Sequence, residues 1–275
     1  MAEPRLQIRS QGDLSHRDWQ KEGEHLYLSA RHMRMSFLQE IRKVERAVTI
    51  KEQTKVIPKA HQKINAFPKA AMLLLGYAVE MYLKSGLAKM LLGCGEELFR
   101  CTLREYSHDF KSLACDLHLS LDEQCLLDLA TLSTFVKNDA RYPVSVGPDE
   151  TYADAFNKRT RSMENARDFR RFCLLAKRIR RQVNLINNNS KAPATLHSWT
   201  VDGDGYLAFR LGGNLPAHAI MRYSSLQTQS PSPFENMAEL AKENSMVCRV
   251  YWDTLKFYED RKTKKGRRLV PITTE

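Results

Sequence analysis

From Phe67 to Leu92 the chain reads FPKAAMLLLGYAVEMYLKSGLAKMLL, and this stretch limits the possible folds more than any other. At helical spacing Leu74, Ala78, Met81, Ser85, Ala88 and Leu92 fall on one line, with Leu73, Tyr77, Glu80, Lys84, Leu87 and Leu91 beside it. A helix this widely apolar must be surrounded by other helices, and Gly76, Ala78, Ser85 and Gly86 let those neighbours come close. A membrane span needs about 20 uninterrupted apolar residues. Glu80, Lys84 and Lys89 break the run, so no membrane is expected. Glu80 and Lys84 stand one turn apart on the apolar face, a spacing at which each charge offsets the other's desolvation. They read either as a bridge at the rim of a core or as part of a site.

Around this segment the chain divides by texture. Residues 1–22 have no sustained apolar period and read as a flexible arm. A helix is expected from Gly23 to about Lys51, with Leu26, Ala30, Met33, Phe37, Ile41 and Val44 inward. The segment to Asn65, with Pro58, joins it to the central helix, which should stop near Gly93 and Gly95. Beyond a loop, Ser107 can cap a helix from His108 to about Leu117, and a second should run from Leu121 to about Lys137. Pro143, Gly147 and Pro148 then enforce a non-helical segment before one long helix, Lys158 to Leu185. Residues 23–190 thus form a helical bundle. In residues 191–260, Trp199, Val201, Leu207, Phe209 and Leu211 alternate around Asp202-Gly203-Asp204-Gly205, the pattern of a β-hairpin, and a last helix is expected from Phe234 to about Tyr258. Residues 261–275 read as a disordered basic tail. The fold class expected is mainly α: an antiparallel helical bundle with a small C-terminal α+β extension of a β-hairpin plus helix.

A chain of 275 residues can bury one substantial core and a small second unit. Its six cysteines include no CxxC pair and its opening is polar, which points to the reducing cytoplasm. Cys115 and His118 have a ligand-like spacing, but no second pair completes a site, so neither a metal nor another cofactor is expected. The net charge of +11 favours an anionic partner. Much of it lies between Lys158 and Arg181, where ten basic residues face only Glu164 and Asp168. Arg167, Arg171, Arg178 and Arg181 fall close to one face, with Phe169, Phe172, Leu175, Ala176 and Ile179 on the packing side. Such a face is either simply solvated or, being rich in arginine, suited to phosphates.

Three motifs in this order, Tyr77-Ala78-Val79-Glu80-Met81-Tyr82-Leu83-Lys84, His108-Asp109-Phe110-Lys111-Ser112-Leu113, and Ala140-Arg141-Tyr142-Pro143 followed by a basic helix, resemble the HEPN family over about Leu26 to Leu185. HEPN domains are helical bundles of nucleotide-binding and ribonuclease proteins in microbial defence and toxin–antitoxin systems. The resemblance implies a homodimer in which Arg-x(4–6)-His motifs face one cleft and the ribose 2′-hydroxyl attacks the adjacent phosphate without metal. Histidine moves the proton near neutral pH and arginine holds the phosphate. This chain departs from that spacing: Arg104 precedes His108 by four positions and Arg100 by eight, and the one formal match, Arg9 to His16, lies in the arm.

The candidate catalytic residues are accordingly His108, Arg104 and Arg100, beside Asp109, with Glu80, Lys84, Arg141 and Tyr142 as neighbours across the bundle. His108 and Asp109 can equally be read as a helix cap. Arg141, Arg167, Arg171, Arg178, Arg181 and Lys84 are the candidate phosphate or RNA ligands. The function expected is binding of RNA or nucleotide phosphates, with a metal-independent endoribonuclease and a scaffold that docks a partner protein through the C-terminal extension as alternatives.

Overall fold

The computed structural model describes residues 3–49 and 53–273; the first two residues of the arm, the expected end of the first helix at residues 50–51, and the last two of the tail lie outside them. The protein is mainly helical and carries a five-stranded sheet towards its C-terminus. The central stretch is the second half of helix α2 (Gln53–Met90), which packs along helix α1 (His16–Thr49). The segment expected to connect the two is itself helical, so α2 runs through Pro58 and Pro68. The hydrogen bonds those prolines remove are outweighed by packing along α1.

Around α2 stand α3 (Glu96–Tyr106), α4 (Phe110–Asp116), α5 (Glu123–Thr134), which ends in a π-turn at Phe135–Asp139, α6 (Tyr152–Glu164) and α7 (Ala166–Leu185). Leu75, Val79, Leu83 and Leu87 of α2, with Leu91 just past its end, are fully buried among Phe99, Phe110, Leu132, Phe172 and Ile179. Each such side chain contributes about 1.5–3 kcal/mol. Gly76 marks the closest approach, since a Cβ there would lie 2.4 Å from Val136 Cγ2.

Three expectations for the bundle need correction. The residues between Gly95 and Ser107 are not a loop but α3, whose Leu98, Phe99, Cys101 and Thr102 are buried. Ser107 adopts φ 46° and closes α3 instead, its amide donating to Leu103 O at 3.1 Å; Asp109 is the N-cap of α4, accepting from the Ser112 amide at 3.1 Å. The long basic helix is two helices, because Asn165 leaves the helical conformation and caps α7 by accepting from the Arg167 and Asp168 amides.

The C-terminal part holds more sheet than a hairpin. Strands β1 (Ala194–Val201) and β2 (Gly205–Gly212) form the expected hairpin, with Val201 opposite Gly205. They continue into β3 (His218–Arg222), β4 (Lys256–Thr263) and β5 (Gly266–Ile272), in the order β1-β2-β3-β4-β5. Only β3 and β4 are parallel, and helices α8 (Pro233–Asn244) and α9 (Met246–Tyr251) cross between them. The single last helix expected over Phe234 to Tyr258 therefore divides at Ser245, which caps α9, and residues from Lys256 onward belong to β4. One face of the sheet places Tyr206, Ala208 and Ile220 in the bundle core; the other packs Leu207, Phe209 and Met221 against Met237, Ala241 and Trp252.

Neither end is loose where it is described. Leu6 is buried, its amide donates to Cys94 O at 2.9 Å, and its carbonyl accepts from the Gly93 amide. Helix α1 begins at His16, inside the stretch expected to be an arm. The basic tail forms the end of β4 and all of β5, which packs against α3; the Arg267 amide lies 3.3 Å from Cys101 Sγ, and the Arg267 side chain pairs with Glu97 and with buried Asp260. The short apolar run Leu269-Val270 was masked by the density of basic residues before it.

Bundle and sheet are also joined through two buried cations. Lys89 of α2 donates to the carbonyls of Val183 at 2.8 Å and Ile186 at 3.2 Å at the end of α7, a position that favours positive charge. Arg210 of β2 donates to Lys89 O and Asn187 Oδ1, while its Nε is buried without a partner. Burial, with the nearby Arg210 charge, pushes the Lys89 ammonium down to about 8.

Candidate functional site

Glu80 and Lys84 are one turn apart on α2, and their carboxylate and ammonium meet at 2.7 Å. The turn between α3 and α4 brings His108 to the same carboxylate: Nδ1 lies 3.0 Å from Glu80 Oε2. Glu80 is almost wholly buried, and each of its oxygens holds one partner. A carboxylate only accepts, so Nδ1 carries the hydrogen and donates it, which leaves the lone pair of neutral His108 on Nε2.

The turn is held on three sides. The Asp109 amide donates to Tyr106 O at 2.7 Å, Ser133 of α5 donates through its hydroxyl to His108 O, and the Asp109 carboxylate caps α4. Tyr77 sets its ring 6.4 Å from the imidazole, and the Lys84 ammonium lies 5.1 Å from the centre of the Trp19 ring. Burial works against ionisation of Asp109, but hydrogen bonds from Ser112 and the charge of Lys137 hold its carboxyl below its ordinary value. His108 keeps about a quarter of its side-chain surface exposed. An oriented, partly exposed imidazole backed by a buried carboxylate can take up a proton and give it back, with cations at hand for a developing negative charge.

The other candidate residues are distributed differently. Arg100 reaches Asp13 at 3.4 Å and Glu96 at 3.7 Å, and Arg104 donates to Arg100 O at 3.3 Å and approaches Cys101 Sγ. Neither bonds to His108: both stay on α3, and the reversal at Ser107 turns the chain away from that face. Arg141 is exposed, with its guanidinium 5.3 Å from the ring centre of Tyr142. On α7, Arg171 clamps buried Asp128 of α5 at 3.0 and 2.8 Å and also pairs with Asp168, while Arg178 bonds Asp122 and Ser120 O, each at 2.7 Å. These two arginines fasten α7 to α5 and its approach. Arg167 and Arg181 are exposed and, with Arg170, have no side-chain partner among the described residues. The Arg9 to His16 match brings no site together: burial, then the charges of Lys89 and Arg17, push His16 down to about 4.

No family model, curated protein or solved structure matches this chain. Among the described residues no cluster of histidine, cysteine and carboxylate side chains could hold a metal ion, and no helix is long and apolar enough to cross a membrane. Sequence reasoning named His108, Glu80 and Lys84 but missed Trp19 and Ser133. Trp19 lay in the presumed arm, and nothing local to Ser133 announces a partner 25 positions away.

Proposed function

We propose that the chain is a HEPN-like protein that binds RNA as a homodimer and cleaves it without metal, with His108 as the proton-transfer group. The Glu80–His108 pair, with Lys84 on the same carboxylate, is the observation that carries this reading. In the reaction Nε2 of His108 takes the proton of a ribose 2′-hydroxyl as that oxygen attacks the adjacent phosphorus. Glu80 stabilises the imidazolium, and the proton is then delivered to the departing 5′-oxygen, leaving a 2′,3′-cyclic phosphate. Lys84, on the same carboxylate as His108, takes the part of the arginine of the family motif as the cation for the phosphate. The unpartnered Arg167, Arg170 and Arg181 on α7 support backbone binding of RNA. Six cysteines without a CxxC pair support a cytoplasmic setting, and the resemblance supports a defence or toxin–antitoxin context.

The test is total RNA with EDTA, incubated with the full chain and with its His108→Ala and Glu80→Gln variants, followed by sizing. Wild type should cut; loss of His108 should slow cleavage by about 10²-fold or more, with the circular dichroism unchanged. A His108→Ala protein that cuts as fast as wild type refutes the mechanism. The exposed arginines support a second reading, a non-catalytic module for RNA or nucleotide phosphates. It would be established by intact RNA under conditions where the wild-type protein binds it, with affinity lost on reversing Arg167 and Arg181 to glutamate.

A further inference from the structure

Between the bundle and the sheet lies a cavity of about 430 Å³, bounded by α3, α4, β3, β4 and β5, which shares Tyr106, Asp109 and Ser112 with the turn that carries His108 but is not lined by His108 itself. Its size and its place between two packed layers are those of sites for small organic molecules. The inner end is apolar and aromatic: Met90 and Ile220 line it with the rings of His218 and Tyr258. His218 is buried, its Nδ1–H donates to Pro216 O at 3.0 Å, and burial with the nearby Arg210 pushes it down to about 4, so this end is uncharged at neutral pH.

The mouth carries charge of the opposite sign to the protein as a whole. Glu105, Asp109 and Asp116 line the cavity with only Lys256 and Arg268, in a chain of net charge +11. Arg268 is committed to Glu105 at 3.0 Å and Asp109 to its capping bonds. Asp116 accepts the Tyr106 hydroxyl at one oxygen, and its other oxygen has no hydrogen-bond partner among the described residues. A carboxylate held by one tyrosine hydroxyl, in a cavity that a second tyrosine also lines, matches an ammonium group attached to a flat apolar body.

We propose that this cavity binds a small organic cation, with its apolar body against Tyr258 and His218 and its ammonium at Asp116 and Tyr106. Calorimetric titration of the full chain tests this with three probes of one shape: tryptamine, the neutral 3-ethylindole and the anionic indole-3-acetate. Tryptamine should bind at least tenfold more tightly than either of the others. Asp116→Asn should cost about tenfold in tryptamine affinity, and Lys256→Gln, at an exposed position of β4, should raise it severalfold. Absence of saturable tryptamine binding, equal affinity for the three probes, a preference for the anion, or an affinity unmoved by Lys256→Gln would each overturn the proposal. The Lys256 variant decides the matter even if the Asp116 variant does not fold.

Discussion

Replacing Lys89 by methionine tests how the two halves of the molecule are joined. The side chain is fully buried, and its ammonium bonds the last carbonyls of α7. Its folded value of about 8 lies below the ordinary 10.5, because burial and Arg210 disfavour the charge. For a base whose folded value is lowered, the cost is complete below the folded value and disappears as pH rises towards the unfolded one; the window is therefore pH 8 to 10.5. The shift amounts to about 3 kcal/mol, and linkage over this window returns about 2 kcal/mol of it between pH 7 and about 9.5. Methionine removes that cost but leaves the buried Ile186 carbonyl without a donor and Val183 O with only the Ile186 amide, at about 1–3 kcal/mol in all. The two effects nearly cancel at pH 7, so pH dependence is the informative readout. Urea unfolding of both proteins at the two pH values should show wild type gaining about 2 kcal/mol relative to Lys89→Met. Parallel pH profiles would refute the assignment, because every other titrating group is common to the pair.

Three further outcomes follow from packing and pairing. Gly76→Ala should destabilise by about 2 kcal/mol in urea unfolding, and Val136→Ala in the same chain should restore part of the loss, because the new methyl meets Val136 Cγ2. Arg171→Ala should cost about 2 kcal/mol by leaving Asp128 buried with only Gln124 as a partner, yet leave the salt dependence of RNA binding unchanged. Glu3→Ala, which removes the acceptor of the Glu97 amide at 2.7 Å and of Arg222, should lower the urea midpoint by an amount equivalent to about 1 kcal/mol.

What could be read from sequence was local or periodic. The breadth of the apolar face from Leu73 to Leu91 announced a central helix, Asp202-Gly203 announced a hairpin, and the interval from Glu80 to Lys84 announced a pair. The pair became a site only when His108, 28 positions later, arrived at the same carboxylate. The basic run misled for the same reason. Arg171 and Arg178 read as free phosphate ligands because Asp128 and Asp122, 43 and 56 positions away, could not be matched to them. Helix α3 was hidden by the glycines before it. Strands β4 and β5 were hidden because the helix period of the preceding segment and the basic charge around them overrode two short apolar runs, Phe257-Tyr258 and Leu269-Val270.

Glu97 of α3 ties together regions far apart in the sequence. Its amide binds Glu3, 94 positions earlier, and its carboxylate binds Arg267, 170 positions later. The closure entropy of loops that long is lost before either contact contributes, so this joint belongs to the late, slow part of folding. Neither the bundle nor the sheet can then melt without opening the other's edge at α3. Although the chain divides by texture near residue 190, calorimetry should record one cooperative transition rather than two.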